Sequence, residues 1–216
     1  MSQLTMFEQQ YASVEEKRFS YYCNELIDGG WLLNATYQPK PFLLTEDAKV
    51  HVFVRKKNTN EITYVKLLNG SEYTADWELL WSPKADGIFT WREGGVYNKG
   101  FYPYSKLHHE NFIPFFSVGN RTFVDVKGSF VGASNSSAIT FPVKQKMLMQ
   151  QGIFVQKVVL SLDDKGLFYR SFTPRNVIRD EVYQRDYKKG DITYKAGESK
   201  LKFTPQLIEK FVKHGN

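Results

Sequence analysis

Residues 13–28 place Phe19, Tyr22, Cys23, Leu26 and Ile27 at steps of three and four, the spacing of a single apolar stripe on an α-helix. Ser13 stands where an N-cap belongs, Glu16 follows three residues later where it can close a capping box, and Gly29-Gly30 stops the element. Beyond that point the period shortens. Runs rich in β-branched and aromatic residues at 35–44, 50–56, 62–68 and 72–81 are separated by Glu46-Asp47, Asn58-Thr59-Asn60 and Asn69-Gly70, which predicts an antiparallel meander.

Residues 82–120 mix Gly, Pro and aromatic positions without a long periodic segment, the pattern of an insertion or of a loop with short strands. A strand is expected at 121–127, broken at Gly128 and followed by a small, polar stretch at 129–137 suited to mobility. Pro142, after Thr140-Phe141, reads as the first position of a helix that runs to Gly152, and 153–160 is a Val/Ile-rich strand. Strand, helix and strand in that order predict a parallel pair joined by a crossover. Further strands are expected at 167–172 and 192–195. Thr204-Pro205 opens a short last helix with Leu207, Ile208 and Phe211 on one face.

Composition narrows the class. A chain of 216 residues with 16% aromatic and 24% charged positions buries a real core and is expected to form one domain with decorations. There is no internal repeat, low-complexity tract or convincing linker. No charged and apolar leader follows Met1, and nowhere do about 18 apolar residues run together, so a soluble, unexported protein without membrane contact is expected. Cys23 is the single cysteine and has no internal disulfide partner, which fits a reducing cytoplasm. The net charge of +6 is unevenly placed: residues 1–164 carry 17 Lys/Arg against 17 Asp/Glu, and residues 165–216 carry 12 against 6. A basic segment of this kind suits a polyanion partner, and a solvated basic tail equally.

The candidate chemistry starts at Asp125-Val126-Lys127. Alternation along a strand puts Asp125 and Lys127 on one face, a carboxylate and a cation about 6 to 7 Å apart along the strand. Phosphodiester hydrolysis needs those two groups, the first to hold a divalent metal and the second to steady developing charge. The tripeptide alone is common in edge strands. Asp76, between Ala75 and Trp77 in a hydrophobic run, is costly to bury unless paired or metal-bound. Other clusters point elsewhere. His108-His109-Glu110-Asn111 lacks a second ligand pair at zinc spacing, and the glycines of Gly128-Ser129-x-x-Gly132 lack the Gly-Lys-Ser/Thr ending of a phosphate loop. Phe168-Tyr169-Arg170 and Phe172 suit either base stacking or a strand core.

Four segments in order carry a family resemblance: Ser13-x-x-Glu16 and its helix to Gly30 with Tyr37-Gln38-Pro39-Lys40, then Tyr73-Thr74-Ala75-Asp76-Trp77, then Val124-Asp125-Val126-Lys127-Gly128, then Phe141-x-x-Lys144-x-Lys146. Together, over residues 13–81 and 121–160, the chain resembles the PD-(D/E)xK nucleases, specifically their phage-encoded branch that is similar to Holliday-junction-resolving endonucleases.

The resemblance implies an α/β (α+β) restriction-endonuclease-like core over residues 1–160, a central mixed sheet flanked by helices, with a β-rich insertion at 82–120 and a basic C-terminal extension at 161–216 packed on the core. It implies a Mg2+-dependent DNA endonuclease, Mn2+ able to substitute, acting on branched or single-stranded DNA in the host cytoplasm, with a homodimer as the working unit. Residue by residue it implies metal ligation by Asp76, Asp125, the Val126 carbonyl and Glu16, a catalytic role for Lys127, and DNA contacts from Lys144 or Lys146, with Arg121 and Arg170 as further basic contacts. Ile113-Pro114-Phe115-Phe116 offers a second alignment, in which Phe115 replaces the first aspartate and the site is dead. The alternative function is then an inactive nuclease fold serving DNA binding or virion assembly.

Overall fold

Ser13 caps helix α1 (Val14–Asp28) by accepting from the Glu16 amide, and Gly30, at φ 67°, ends it in the left-handed region. The Gly30 and Trp31 amides return to Ile27 and Leu26, closing the helix end with the two bonds of a Schellman motif. The structure, a computed structural model, describes residues 10–55, 57, 59–92, 114–127, 136–160, 166–188, 191–196 and 203–214.

Six strands follow: β1 (Leu32–Tyr37), β2 (Phe42–Thr45), β3 (Ala48–Arg55), β4 (Asn60–Leu68), β5 (Ser71–Tyr73) and β6 (Trp77–Trp81). They do not form the expected meander. β3 pairs with β4, β2 with β5 and β1 with β6, all antiparallel, so residues 32–81 make one long ribbon folded back on itself. Both limbs break at the same level, at Gln38-Pro39 and at Ala75-Asp76, where the Gln38 amide donates to the Asp76 carbonyl at 2.9 Å. Gln38 has φ 45°, and the proline after it cannot extend a ladder. Each expected strand at 35–44 and 72–81 is therefore two strands.

After the short β7 (Thr90–Arg92) and β8 (Phe115–Ser117), a parallel pair, come β9 (Arg121–Lys127), α2 (Ser136–Gln150) and β10 (Val155–Val159). β9 and β10 are parallel in the register Asp125↔Lys157, as strand–helix–strand order predicts. α2 starts earlier than expected and carries Pro142 inside it, where the ring removes one backbone hydrogen bond and crowds the carbonyl one turn earlier. The remaining elements are α3 (Leu167–Arg170), α4 (Arg175–Val182), the hairpin β11 (Tyr183–Lys188) and β12 (Asp191–Ala196), and α5 (Ile208–His214). Residues 167–172 are helix and bend rather than strand, because Leu167, Phe168 and Phe172 reach the core from a turn of helix.

The centre is a four-stranded mixed sheet in the order β1-β6-β9-β10. Alternation sorts its side chains onto two faces. Val124, Val126, Trp77, Leu79 and Val158 meet Phe19, Tyr22 and Leu26 of α1 in the main core, whereas Phe123 and Val155 meet Leu148 and Phe141 of α2. The fold is thus mixed α and β, with helices against both faces. Phe168, Phe172, Val177 and Ile208 belong to the same main core, so the C-terminal quarter completes it. Among the described residues no helix is long and apolar enough to cross a membrane.

Candidate active site

The break in the ribbon creates the site. β6 begins opposite Val124, so the edge of β9 beyond that residue faces no strand among the described residues. Its next amide on that side, Val126 N–H, would be left without a partner, and buried backbone donors need one. Asp76, at the break immediately before β6, supplies it: Oδ2 accepts from Val126 N at 2.7 Å across 50 residues of chain. The break in the ribbon is what turns this carboxylate toward β9.

Asp125 lies on β9, 4% exposed. Its Oδ1 accepts from the Tyr73 hydroxyl at 2.9 Å. Its Oδ2 has the Lys127 ammonium at 2.8 Å as an ion pair, without the alignment of a hydrogen bond. The same ammonium is 4.0 Å from Asp76 Oδ2, so Lys127 spans both carboxylates. Burial pushes the Asp76 carboxyl up to about 7, and the neighbouring Asp125 adds to the rise, against the pull of Lys127 and the Val126 amide. Lys127 thus bridges two desolvated carboxylates, each carrying oxygens of the kind a hard cation prefers.

The remaining expected residues are placed as follows. Glu16 is 8% exposed on α1 and close enough to Asp76 to raise its pKa. However, its Oε1 accepts from the Ser13 hydroxyl at 3.0 Å and its Oε2 from the Tyr37 hydroxyl, so both oxygens are already engaged. Val126 presents its N–H to Asp76 Oδ2. Lys144 is the site-facing lysine of α2, its ammonium 5.8 Å from the Tyr73 ring, whereas Lys146 is exposed. Arg121 sits at the far end of β9, about 13 Å along the strand from Asp125, and pairs with Glu78 at 3.0 Å. Arg170 lies on α3, with Leu167 and Phe168 of the same helix in the main core.

Phe115, the alternative counterpart of the first aspartate, is fully buried against Phe19, Tyr22 and Trp81 in the main core. Its strand is instead held by Gln156, which accepts from the Phe116 amide and donates to the Pro114 carbonyl. The His108–Asn111 cluster, Gly128–Gly132 and most of 129–137 lie outside the described residues.

No family model matches the chain, and no curated protein or solved structure matches it.

Two groups escaped the reading of the residues. Tyr73 was visible as part of a motif but carried no role until its hydroxyl met Asp125. Lys157 stands beside Asp125 in the parallel register; burial pushes its ammonium down, against the pull of Asp125. Only the pairing of β9 with β10 could reveal it. Among the described residues no group of three or more His, Cys, Asp or Glu side chains is gathered to hold a metal. What the chain offers is a pair of carboxylates bridged by Lys127 with Lys157 alongside, oxygen donors of the kind a hard cation takes.

Proposed function

We propose that this chain is a Mg2+-dependent DNA endonuclease with a restriction-endonuclease-like core of the PD-(D/E)xK type, close to the junction-resolving branch. The observation that carries the reading is the meeting of Asp76 with Asp125 and Lys127 at one end of the central sheet, through the Asp76 bond to Val126 N. The element order α1, β1, β6, β9, α2, β10 is consistent with it.

The donors fit the metal. Carboxylate oxygens suit Mg2+, which is commonly held by one or two of them and keeps several waters. The buried Asp125 Oδ2, lacking an aligned hydrogen bond, and the desolvated Asp76 are the atoms that would hold it, with Mn2+ able to replace it. When bound, such a metal polarises the scissile phosphate and lowers the pKa of a coordinated water. The chain's residues do the rest. Asp76 must be deprotonated to bind, so ligation competes with its proton near neutral pH. Lys127, held between the carboxylates, is placed to neutralise charge on the phosphate oxygens. Lys144 and Lys157 extend the positive rim on which a DNA backbone would lie. Glu16 steadies the start of α1 and adds negative potential from behind.

Branched or single-stranded DNA is the proposed substrate and a homodimer the proposed working unit, both following the resolvase resemblance. Action inside a reducing compartment suits the buried, unpaired Cys23. The test is cleavage of supercoiled, single-stranded and four-way-junction DNA with Mg2+, with Mn2+ and with chelator. Nicking that needs the metal and disappears in Asp125→Ala, while that variant melts as a folded protein, is the expected result. Wild-type activity in Asp125→Ala would sink the assignment.

A further inference from the structure

We infer that Tyr73 is a positioning residue of the metal site, its phenol fixing the Asp125 carboxylate so that Oδ2 stays turned toward Lys127 and Asp76. The inference rests on reading the Asp76 and Asp125 pair as a site for a divalent cation.

Tyr73 ends β5, immediately before the break that releases Asp76, and is 8% exposed. Its hydroxyl reaches across 52 residues of chain to Asp125 Oδ1 at 2.9 Å. A carboxylate on a strand can rotate about its last torsion, and either oxygen can face a ligand. A donor on Oδ1 removes that freedom. The choice of donor matters too: a lysine there would cancel charge, whereas a neutral phenol orients the carboxylate and leaves it anionic. That is the work of groups behind a metal ligand, which set its direction and basicity without touching the metal.

The phenol is itself held. Its ring lies 6.3 Å from that of Phe141, with the Lys144 ammonium 5.8 Å from its centroid, so α2 restrains it from the side opposite the sheet. Helix, tyrosine and carboxylate form one connected line, and the tyrosine is the link that a motif of acidic and basic residues omits.

The test uses the full chain and Mn2+ alone, without DNA, reading free Mn2+ by electron paramagnetic resonance as protein is titrated. Tyr73→Phe keeps the ring and removes only the hydroxyl. The expected result is Mn2+ affinity about 10- to 100-fold weaker than wild type, in a variant that still melts cooperatively without metal. Equal affinity overturns the inference. A variant that no longer folds overturns it as well, since the hydroxyl is then a structural element and not a positioning one. Failure of the wild type to bind Mn2+ is a different outcome: it removes the metal reading itself, and this inference with it.

Discussion

The central sheet and the β3–β4 arm are built from the same kind of sequence and meet opposite fates. Both are short strands rich in β-branched, aromatic and leucine residues. In the sheet, Trp77, Leu79 and Val124 are fully buried between α1 and the strands. On the arm, Phe53 is 68% and Tyr64 71% exposed, with Val50, Val54 and Ile62 also in the open. Strand propensity alone therefore does not say where a core lies; the covering helix does. The difference also explains where chemistry can sit. Asp76 and Asp125 interact strongly because the sheet end is desolvated, whereas on the arm the Lys66 and Lys49 ammoniums meet Asp47 in solvent, where such pairs contribute little.

The comparison can be broken first at the site. Asp76→Ala is expected to lower metal-dependent nicking by on the order of 1,000-fold or more, if Asp76 is a true ligand. Measured with single-turnover cleavage, a loss of less than about 10-fold would make Asp76 a structural cap for Val126 N–H and nothing more.

The covered face can be tested by stability. Phe19, fully buried, packs against Trp77 and Phe115, and Phe19→Ala should cost about 3 to 5 kcal/mol in urea unfolding. A cost near 1 kcal/mol would mean that α1 does not seal the sheet.

The pH dependence of the metal-free protein sharpens the electrostatic half of the contrast. Asp76 has its folded pKa raised from an ordinary 3.8 to about 7, so the native state holds that proton more tightly than the unfolded chain. Its contribution is stabilising below about pH 4 and is lost as pH rises through about 7. Asp76→Asn should flatten that decline and raise unfolding free energy at pH 8 by about 2 to 4 kcal/mol. An unchanged slope between pH 4 and 7 contradicts a desolvated pair. The same competition makes Mg2+ raise the melting temperature more at pH 8 than at pH 5.5.

The smallest effect belongs to the arm. Phe53→Ala should change unfolding free energy by no more than about 0.5 kcal/mol, as for other exposed positions. A loss above about 2 kcal/mol would show that the arm is covered in solution after all.

Much of this is legible in the sequence. The stripe from Phe19 to Leu26, with Ser13 ahead and Gly30 behind, marks α1 unambiguously, because cap, period and stop agree. The parallel β9–β10 pair follows from strand, helix and strand in sequence. Asp76 could be suspected from cost alone, since a carboxylate does not sit cheaply in a hydrophobic run. What was not legible depends on distant partners. Pro39 marks locally that 35–44 splits at Gln38, but nothing local tells that the two pieces pair with the two halves of 72–81. Residues 167–172 carry strand-like side chains that tertiary packing overrides with a turn of helix. Lys144 and Lys146 are equivalent on paper until Tyr73 lies beneath one of them.

The claim that ties these observations together is that Asp76 and Asp125 share one divalent cation. Crystals soaked in Mn2+ and measured at the manganese absorption edge test it directly. The account predicts one strong anomalous peak about 2 Å from a carboxylate oxygen of each aspartate, with Lys127 displaced from Asp125 Oδ2. A peak elsewhere, or none between the two carboxylates at pH 8, would contradict it.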